Sequence, residues 1–243
     1  MPNWRKGVQG PQRKYRKTRR GNYLGKKATT NVRKIAKNTI LRMAETKAVG
    51  KQSGGSPTVP AIALFHNQPY YISNLLATKQ GTADPNDYSS AAARVGDELQ
   101  LKNVNVRFCL SGFRPNCTYR LVLFWYEAGT TLANDIVYFT QANKLLDRYN
   151  TEQISIIDQK IVHPGAINRT GSDDNTTSYQ RRTQLVTMNG HWKAKRIKYD
   201  EGTTVPKYRD IGLAIVCYDS INTLQTDQLS EMVTDYKLTF KDL

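Results

Sequence analysis

The side chains most able to do chemistry in this sequence are cations crowded towards its start. Residues 1–51 hold 16 Lys and Arg and a single acid, Glu45, whereas the rest of the chain holds 20 Lys and Arg and 19 acids. A block with so much charge of one sign repels itself and does not collapse alone, so it is typical of a segment that binds a polyanion. Nucleic acid is the first candidate and an anionic membrane surface the second.

The densest charge lies in the run RKYRKTRR, which begins at Arg13. Lys and Arg pair with phosphates, and the ring of Tyr15 or Trp4 can stack on an unpaired base. Neither contact reads a base sequence, so we expect strong, salt-sensitive and largely unspecific binding of single strands. The same run is typical of a nuclear import signal, which favours DNA over RNA as the partner. A solvated spacer is the alternative interpretation.

Residues 30–47 predict a short basic amphipathic helix. Thr29, Thr30 or Asn31 can cap its start, and apolar residues recur at helical spacing from Val32 to Ala44, flanked or opposed by basic residues. Three roles stay open for this helix. It could lie on a membrane, pack against copies of itself with its basic face on nucleic acid, or dock on its own domain.

A stretch rich in Gly, Ser and Pro follows at residues 50–60 and predicts a hinge. The predicted organisation is therefore a basic arm at residues 1–50, a hinge at 51–60 and a folded body at 61–243. The arm residues that we predict to bind nucleic acid are Arg5, Lys6, Arg13, Lys14, Tyr15, Arg16, Lys17, Arg19, Arg20, Lys26, Lys27, Arg33, Lys34, Lys37 and Arg42.

A second basic cluster lies in the body, beside Trp192 and Tyr199. It could continue the nucleic-acid surface of the arm. The alternative is that it forms the polar faces of edge strands, where Lys blocks aggregation. The cluster consists of Arg181, Arg182, Lys193, Lys195, Arg196 and Lys198.

Beyond residue 60 the hydrophobic pattern changes to a period of two, which is typical of strands. Residues 119–126 and 211–218 are apolar on both faces, so they are predicted to be central strands covered on both sides. Between residues 99 and 110 the apolar phase changes, which predicts a bulge near Lys102–Asn103 that keeps one face buried.

Further strands are predicted near residues 66–75, 154–162, 179–188, 192–199 and 232–240, and a helix within residues 135–149. About eight antiparallel strands with long, unequal loops predict an all-β fold, an eight-stranded antiparallel jelly-roll sandwich preceded by a basic arm with a short helix.

No pattern for catalysis or metal binding is present. None of His66, His163 and His191 has a His or Cys at metal-ligand spacing, and no nucleophile-elbow, zincin or phosphate-loop motif occurs. The three cysteines lack a CxxC pair and are predicted to be reduced, mostly buried thiols. We therefore predict neither an enzyme nor a cofactor, and the start of the chain predicts no secretory signal.

Two strings give this chain a family resemblance: RVGDELQLKNVNVRF at residues 94–108 and YRLVLFWYE at 119–127. With the basic arm and helix ahead of them, they resemble capsid proteins of the satellite tobacco necrosis virus type. Such capsids also occur in small circular single-stranded DNA viruses that encode a replication initiator. The shared features are a Gly-Asp pair before a strand, a second strand that ends in aromatic residues, and the Gly-Thr-Thr after it. The resemblance covers residues 26–163 and the C-terminal third in outline.

The resemblance implies a single jelly roll that forms a small icosahedral shell of about 60 copies (T=1), with the arms pointing inwards. It places the protein in the virion, and in the host nucleus or cytoplasm during assembly. About 60 arms of net charge +15 would bring roughly 900 cations, which suits a packaged single strand on the order of a thousand nucleotides.

The resemblance also implies that copies of the arm helix cluster at symmetry axes. Relatives can hold calcium between subunits, but those ligands cannot be mapped onto this sequence residue by residue, so calcium stays open and no metal site is assigned. The host receptor stays open. A cellular nucleic-acid-binding protein with a β-sandwich body is the alternative function, and a membrane-active protein is the third.

Overall fold

The computed structural model of the chain describes residues 26–44, 46–54, 60–81, 92–113, 116–163, 182–219 and 223–242. The chain divides into two units, residues 1–42 and 43–243. Helix α1 (Lys26–Met43) ends at the boundary between them. It starts before the predicted residue 30, because Lys and Ala at its start are good helix formers. It also ends before the predicted residue 47, because a strand begins at Thr46.

The described part of the second unit consists of eleven strands and one short helix, numbered in chain order. They are β1 (Thr46–Ser53), β2 (Ile62–Phe65), β3 (Pro69–Ile72), β4 (Lys79–Gln80), β5 (Ala92–Arg94), β6 (Glu98–Gly112), β7 (Cys117–Glu127), α2 (Asn134–Val137), β8 (Ser155–Val162), β9 (Arg182–Lys198), β10 (Arg209–Asp219) and β11 (Gln228–Asp242).

Two antiparallel sheets enclose the core of this unit. The first has the order β1-β11-β6-β9, with β2 also paired to β11, and the second has the order β3-β10-β7-β8. Successive long strands cross from one sheet to the other, as β6 to β7 and β9 to β10 do, in the double Greek-key order of a jelly roll. The strand order confirms the predicted all-β jelly-roll sandwich. The short strands β4 and β5 form a separate parallel pair.

The body begins earlier than predicted. Strand β1 pairs with β11 from Thr46 to Ser53, and β2 continues along the same side of β11 from Ile62. The two pair with successive stretches of β11, and residues 50–53 of the predicted hinge region belong to β1. Residues 55–59 lie outside the described residues.

The predicted bulge is confirmed in β6. On β11, Thr239 pairs with Asn103 and Phe240 with Leu101, so Lys102 is the extra residue. The register with β9 shifts at the same place. Because of this shift, Leu101 and Val104 both point into the core and are completely buried. One added residue thus keeps a 15-residue strand apolar on one face.

The two predicted central strands are also confirmed. Strands β7 and β10 lie in the middle of the second sheet, and residues such as Leu121 and Ile215 point into the core between the sheets. Residues on their opposite face, such as Phe124 and Val216, are buried beneath the connection between β7 and β8. That connection contains only the four-residue helix α2 where a longer helix was predicted.

The two strands predicted at residues 179–188 and 192–199 are a single strand, β9. Its inward-facing residues include Val186, Met188 and Ile197, which are buried in the core. Gly190 allows β9 to continue through this point without a clash. A Cβ at this position would lie 2.5 Å from the Trp192 ring and 2.8 Å from Ile157 of β8. The glycine therefore marks a close approach between the two sheets.

Candidate nucleic-acid interface

Most of the predicted arm residues lie outside the described residues. These are Arg5, Lys6, Arg13, Lys14, Tyr15, Arg16, Lys17, Arg19 and Arg20. Lys26 and Arg42 lie in α1, but their side chains are outside the described part of the chain. Their assignment to nucleic-acid binding therefore stays a prediction.

Four predicted cations have described positions in α1: Lys27, Arg33, Lys34 and Lys37. All four are exposed. At about 100° per residue they fall within one third of the helix circumference. These four cations therefore share one face of the helix, which also contains the positions of Thr30 and Leu41.

The other side of α1 carries exposed apolar side chains. Val32 is 51% exposed, Ile35 65%, Ile40 58% and Met43 82%. A surface helix normally buries such a stripe against a partner. A helix with one cationic face and one apolar face can bind a polyanion and an apolar surface at the same time.

The second predicted cluster does not form one surface. Arg196 and Lys198 share Glu98, with 2.5 Å from the Arg196 Nε to Oε2 of Glu98 and 3.5 Å from the Lys198 Nζ to Oε1. The hydrogen bond from Arg196 lowers the pKa of the Glu98 carboxyl below its ordinary value, and the charge of Lys198 adds to this. Much of the local positive charge is therefore neutralised within the protein.

Lys195 of that cluster points away from Arg196 and Lys198. Lys195 pairs with Leu101 in the strand register, and its Nζ lies 5.6 Å from the centre of the Trp125 ring. The carbonyl oxygen of Lys193 accepts a hydrogen bond from Lys102 at the bulge. Strand alternation and the register shift separate residues that are close in sequence. Arg181, and the side chain of Arg182, lie outside the described residues.

Sequence reasoning missed the cations of β11 that lie on the same side of the sheet as Arg196, with β6 between them. In the register of the first sheet, Lys241 of β11 faces Gln100 of β6, which faces Arg196 of β9. Lys237 occupies the same outward face two pairs further along β11. The alternation of residues 232–241 already placed both lysines outwards. Their neighbours depend on pairing between distant strands, which one sequence does not reveal.

Buried ionisable groups elsewhere in the body hold loops in place. Arg94 is completely buried, donates to the Gly96 carbonyl at 2.8 Å and lies 4.3 Å above the Tyr199 ring. The Lys144 ammonium pairs with Asp147 at 2.9 Å within the connection between β7 and β8. These groups are occupied by partners within the protein, which is the ordinary condition of a buried charge.

Two other kinds of site are absent from the described part of the chain. No group of three or more His, Cys, Asp or Glu side chains among those residues could hold a metal ion. Neither described helix has the length and apolar character needed to cross a membrane. Cys109, Cys117 and Cys217 are free thiols, and the last two are buried, as predicted.

No family model matches the chain, and no curated protein matches it. Among solved structures, a chain from the native virion of Kashmir bee virus at acidic pH aligns with 10% identity over 84% of this chain and 73% of that chain, with a TM-score of 0.26. VP1 of trichodysplasia spinulosa-associated polyomavirus, in complex with GM1 oligosaccharide, aligns with 8% identity over 80% of this chain and 77% of that chain, with a TM-score of 0.11. At such TM-scores neither alignment bears on the function of this chain.

Proposed function

We propose that this chain is a viral coat protein whose body assembles into a closed shell and whose basic arm binds the packaged single strand. The observation that carries the proposal is the separation of charge along the chain. Sixteen of the 36 Lys and Arg lie in the first 51 residues with one acid, ahead of a body that is close to neutral.

The fold is compatible with this function but does not distinguish it from other functions. Jelly rolls serve as viral capsid domains and also as lectin domains, so function has to be argued from other features. A cationic arm joined to a neutral jelly roll suits a coat protein, because neutral bodies can lie side by side while the arms neutralise a polyanion. The sequence resemblance at residues 94–127 favours the same function.

Helix α1 fits this proposal through its two faces. Copies of the helix that share their apolar sides would bury Ile35, Ile40 and Met43 and present Arg33 and Lys37 to the strand. Assembly at high local concentration would supply the partner that an isolated 18-residue helix lacks. A shell of about 60 copies would collect the arms around one strand.

Deleting residues 1–27 tests the role of the arm. The variant is expected to lose most of its packaged nucleic acid, because the deletion removes the ten cations of that segment. The measurement is the ratio of absorbance at 260 and 280 nm of purified particles. A variant with its arm intact and Lys79→Gln in the body is the matched control.

Unchanged nucleic-acid content in particles of the deletion variant would remove the proposed role of the arm. A chain that binds single strands but stays monomeric at every salt concentration and pH would instead favour the cellular nucleic-acid-binding protein. Binding of α1 to anionic vesicles, with no binding of single strands, would favour a membrane-active protein.

A further inference from the structure

The outer side of the first sheet carries a surface that the arm does not account for. Two rows of outward residues cross β11, β6 and β9 in register. We name them the polar face, and its members are Lys237, Asn105 and Asn189 in one row and Lys241, Gln100 and Arg196 in the other.

The side chains of this face are cations and amides, of which Gln100 is buried. The row between its two rows consists of Thr239, Asn103 and His191, which lack a carboxylate. Acids lie at its borders: Asp235 pairs with Arg107 in the register, Glu98 holds Arg196, and Asp158 of β8 accepts a hydrogen bond from the Asn189 backbone N–H. Away from these borders, the exposed Lys237 gives the face positive charge and its amides supply hydrogen-bond donors.

Two features of this face favour contact with an anion. The Asn105 Nδ2 donates to the side-chain Oδ1 of Asn189 at 2.6 Å, so the amide oxygen that would repel a phosphate is already engaged. Lys237 is exposed, and Gly50 of β1 is its register partner, so no side chain covers it from that edge. The lysine stem can therefore extend over the sheet.

The face also lies beside the point where the arm joins the body. Strand β1 starts at Thr46, which pairs with Lys241, and the Lys241 ammonium donates to the Ala44 carbonyl at 2.9 Å. The two lysines are four residues apart on β11, which separates their Cα atoms by about 13 Å.

We infer that the polar face is a second binding site for the sugar-phosphate backbone of single-stranded nucleic acid, centred on Lys237 and Lys241. The inference rests on the proposed function, and it adds a contact made by the folded body. Phosphate contacts from lysine and amide groups position a strand without reading its bases, so the site binds all sequences alike.

Covalent labelling of lysines on the full chain tests the inference. Labelling is measured by mass spectrometry with and without a single-stranded oligonucleotide, at the same assembly state. Protection of Lys237 by the strand is expected, with no protection of Lys79, which is exposed on β4. Protection of Lys14 and Lys17 without protection of Lys237 would overturn the inference and leave the proposed function intact.

The other two outcomes are also decisive. If the strand protects none of these lysines, both the inference and the proposed role of the arm fail. If Lys237 becomes protected on assembly before any strand is added, another copy of the chain covers the face and the inference fails.

A pair of variants provides the second measurement. Lys237→Glu should make the dependence of log affinity on log salt shallower by about 0.7, the value of one lost phosphate contact on a single strand. The loss should be similar for all base sequences. Lys79→Glu makes the same change of charge on β4 and should leave the slope unchanged, and equal slopes for the two variants would contradict the inference.

Discussion

Asp210 is a carboxyl group that the fold buries without a cationic partner in contact. It is completely buried at the start of β10, where Oδ1 accepts hydrogen bonds from the backbone N–H groups of Leu76 and Ile211 at 3.0 and 2.6 Å. Burial raises its pKa to about 6, although the two hydrogen bonds oppose the shift. The charge of Asp210 also contributes to raising the pKa of Tyr126 to about 12, where burial is the main cause.

Asp210 should make the protein more stable as the pH falls from neutral towards 4. A pKa above the unfolded value means that the folded state binds the proton more tightly, so this stability is lost as pH rises through about 6. Asp210→Asn keeps the oxygen acceptor and removes the titration. The free energy of unfolding of the wild type, relative to this variant, should rise by up to about 3 kcal/mol between pH 7.5 and 4.

Urea denaturation across that pH range measures the difference, with Glu201→Gln on an exposed loop as the control. A wild type and an Asp210→Asn variant whose stabilities differ by a constant amount at every pH would refute the assignment. The local sequence does not reveal this behaviour, because Asp210 directly follows the exposed residues Tyr208 and Arg209 and only the fold buries it.

At the level of elements, side chains of β8 in the second sheet contact the backbone of β9 in the first sheet. Asp158 accepts a hydrogen bond from the Asn189 backbone N–H at 3.1 Å, and the Lys160 ammonium donates to the Thr187 carbonyl at 2.5 Å. Both backbone groups belong to β9, which is the last strand of its sheet. Side chains of one sheet thus cover the free edge of the other, which protects it from pairing with further chains.

Replacing Asp158 and Lys160 together by Ala should expose this edge. The amide of Asn189 should exchange its hydrogen faster, and the free energy of unfolding should fall by about 1–2 kcal/mol, since two partly exposed hydrogen bonds to charged groups are lost. Hydrogen exchange followed by NMR or mass spectrometry makes the measurement. Glu152→Ala, on a nearby exposed turn, is the control, and unchanged exchange at Asn189 in the double variant would disprove the capping role.

The elements that could be predicted from the sequence are those whose hydrophobic pattern lies within the element itself. The change of apolar phase around Lys102 predicted the bulge, and apolar residues on both faces predicted that β7 and β10 are central. Strand β1 was missed because Lys47, Val49 and Lys51 share its inward side and Gly50 interrupts any alternation. It is a strand because β11 supplies its hydrogen-bond partners, and such non-local pairing leaves no signal in the segment itself.

In the candidate site, too, features that are local in the sequence could be predicted, and features that depend on pairing between distant strands could not. Cations in the arm could be found by counting charges. For the second cluster the sequence left open a nucleic-acid surface or polar faces of edge strands, and the structure directs Lys195 and Arg196 to different sides of β9. Lys195 and Arg196 are adjacent in sequence, yet the first lies beside Trp125 and the second pairs with Glu98. Conversely, Lys237 and Asn189 are far apart in sequence and belong to one outward row.

At the level of the whole molecule, the central feature is the separation of a net charge of +15 in residues 1–51 from a nearly neutral remainder. Like-charged bodies would repel each other as they approach, and the repulsion would grow at low salt. A neutral body avoids this cost, and its residual positive charge includes Lys237 and Lys241 on the outer side of one sheet. The arm then supplies most of the charge that a packaged strand requires.

Electron microscopy of the full chain, combined with light scattering, tests the central claim most directly. The purified protein with a single strand on the order of a thousand nucleotides should form closed, uniform particles. With about 60 copies of a 27.6 kDa chain, the protein mass of each particle should be about 1.7 MDa. A protein that binds the strand but remains monomeric at every salt concentration and pH would contradict the account.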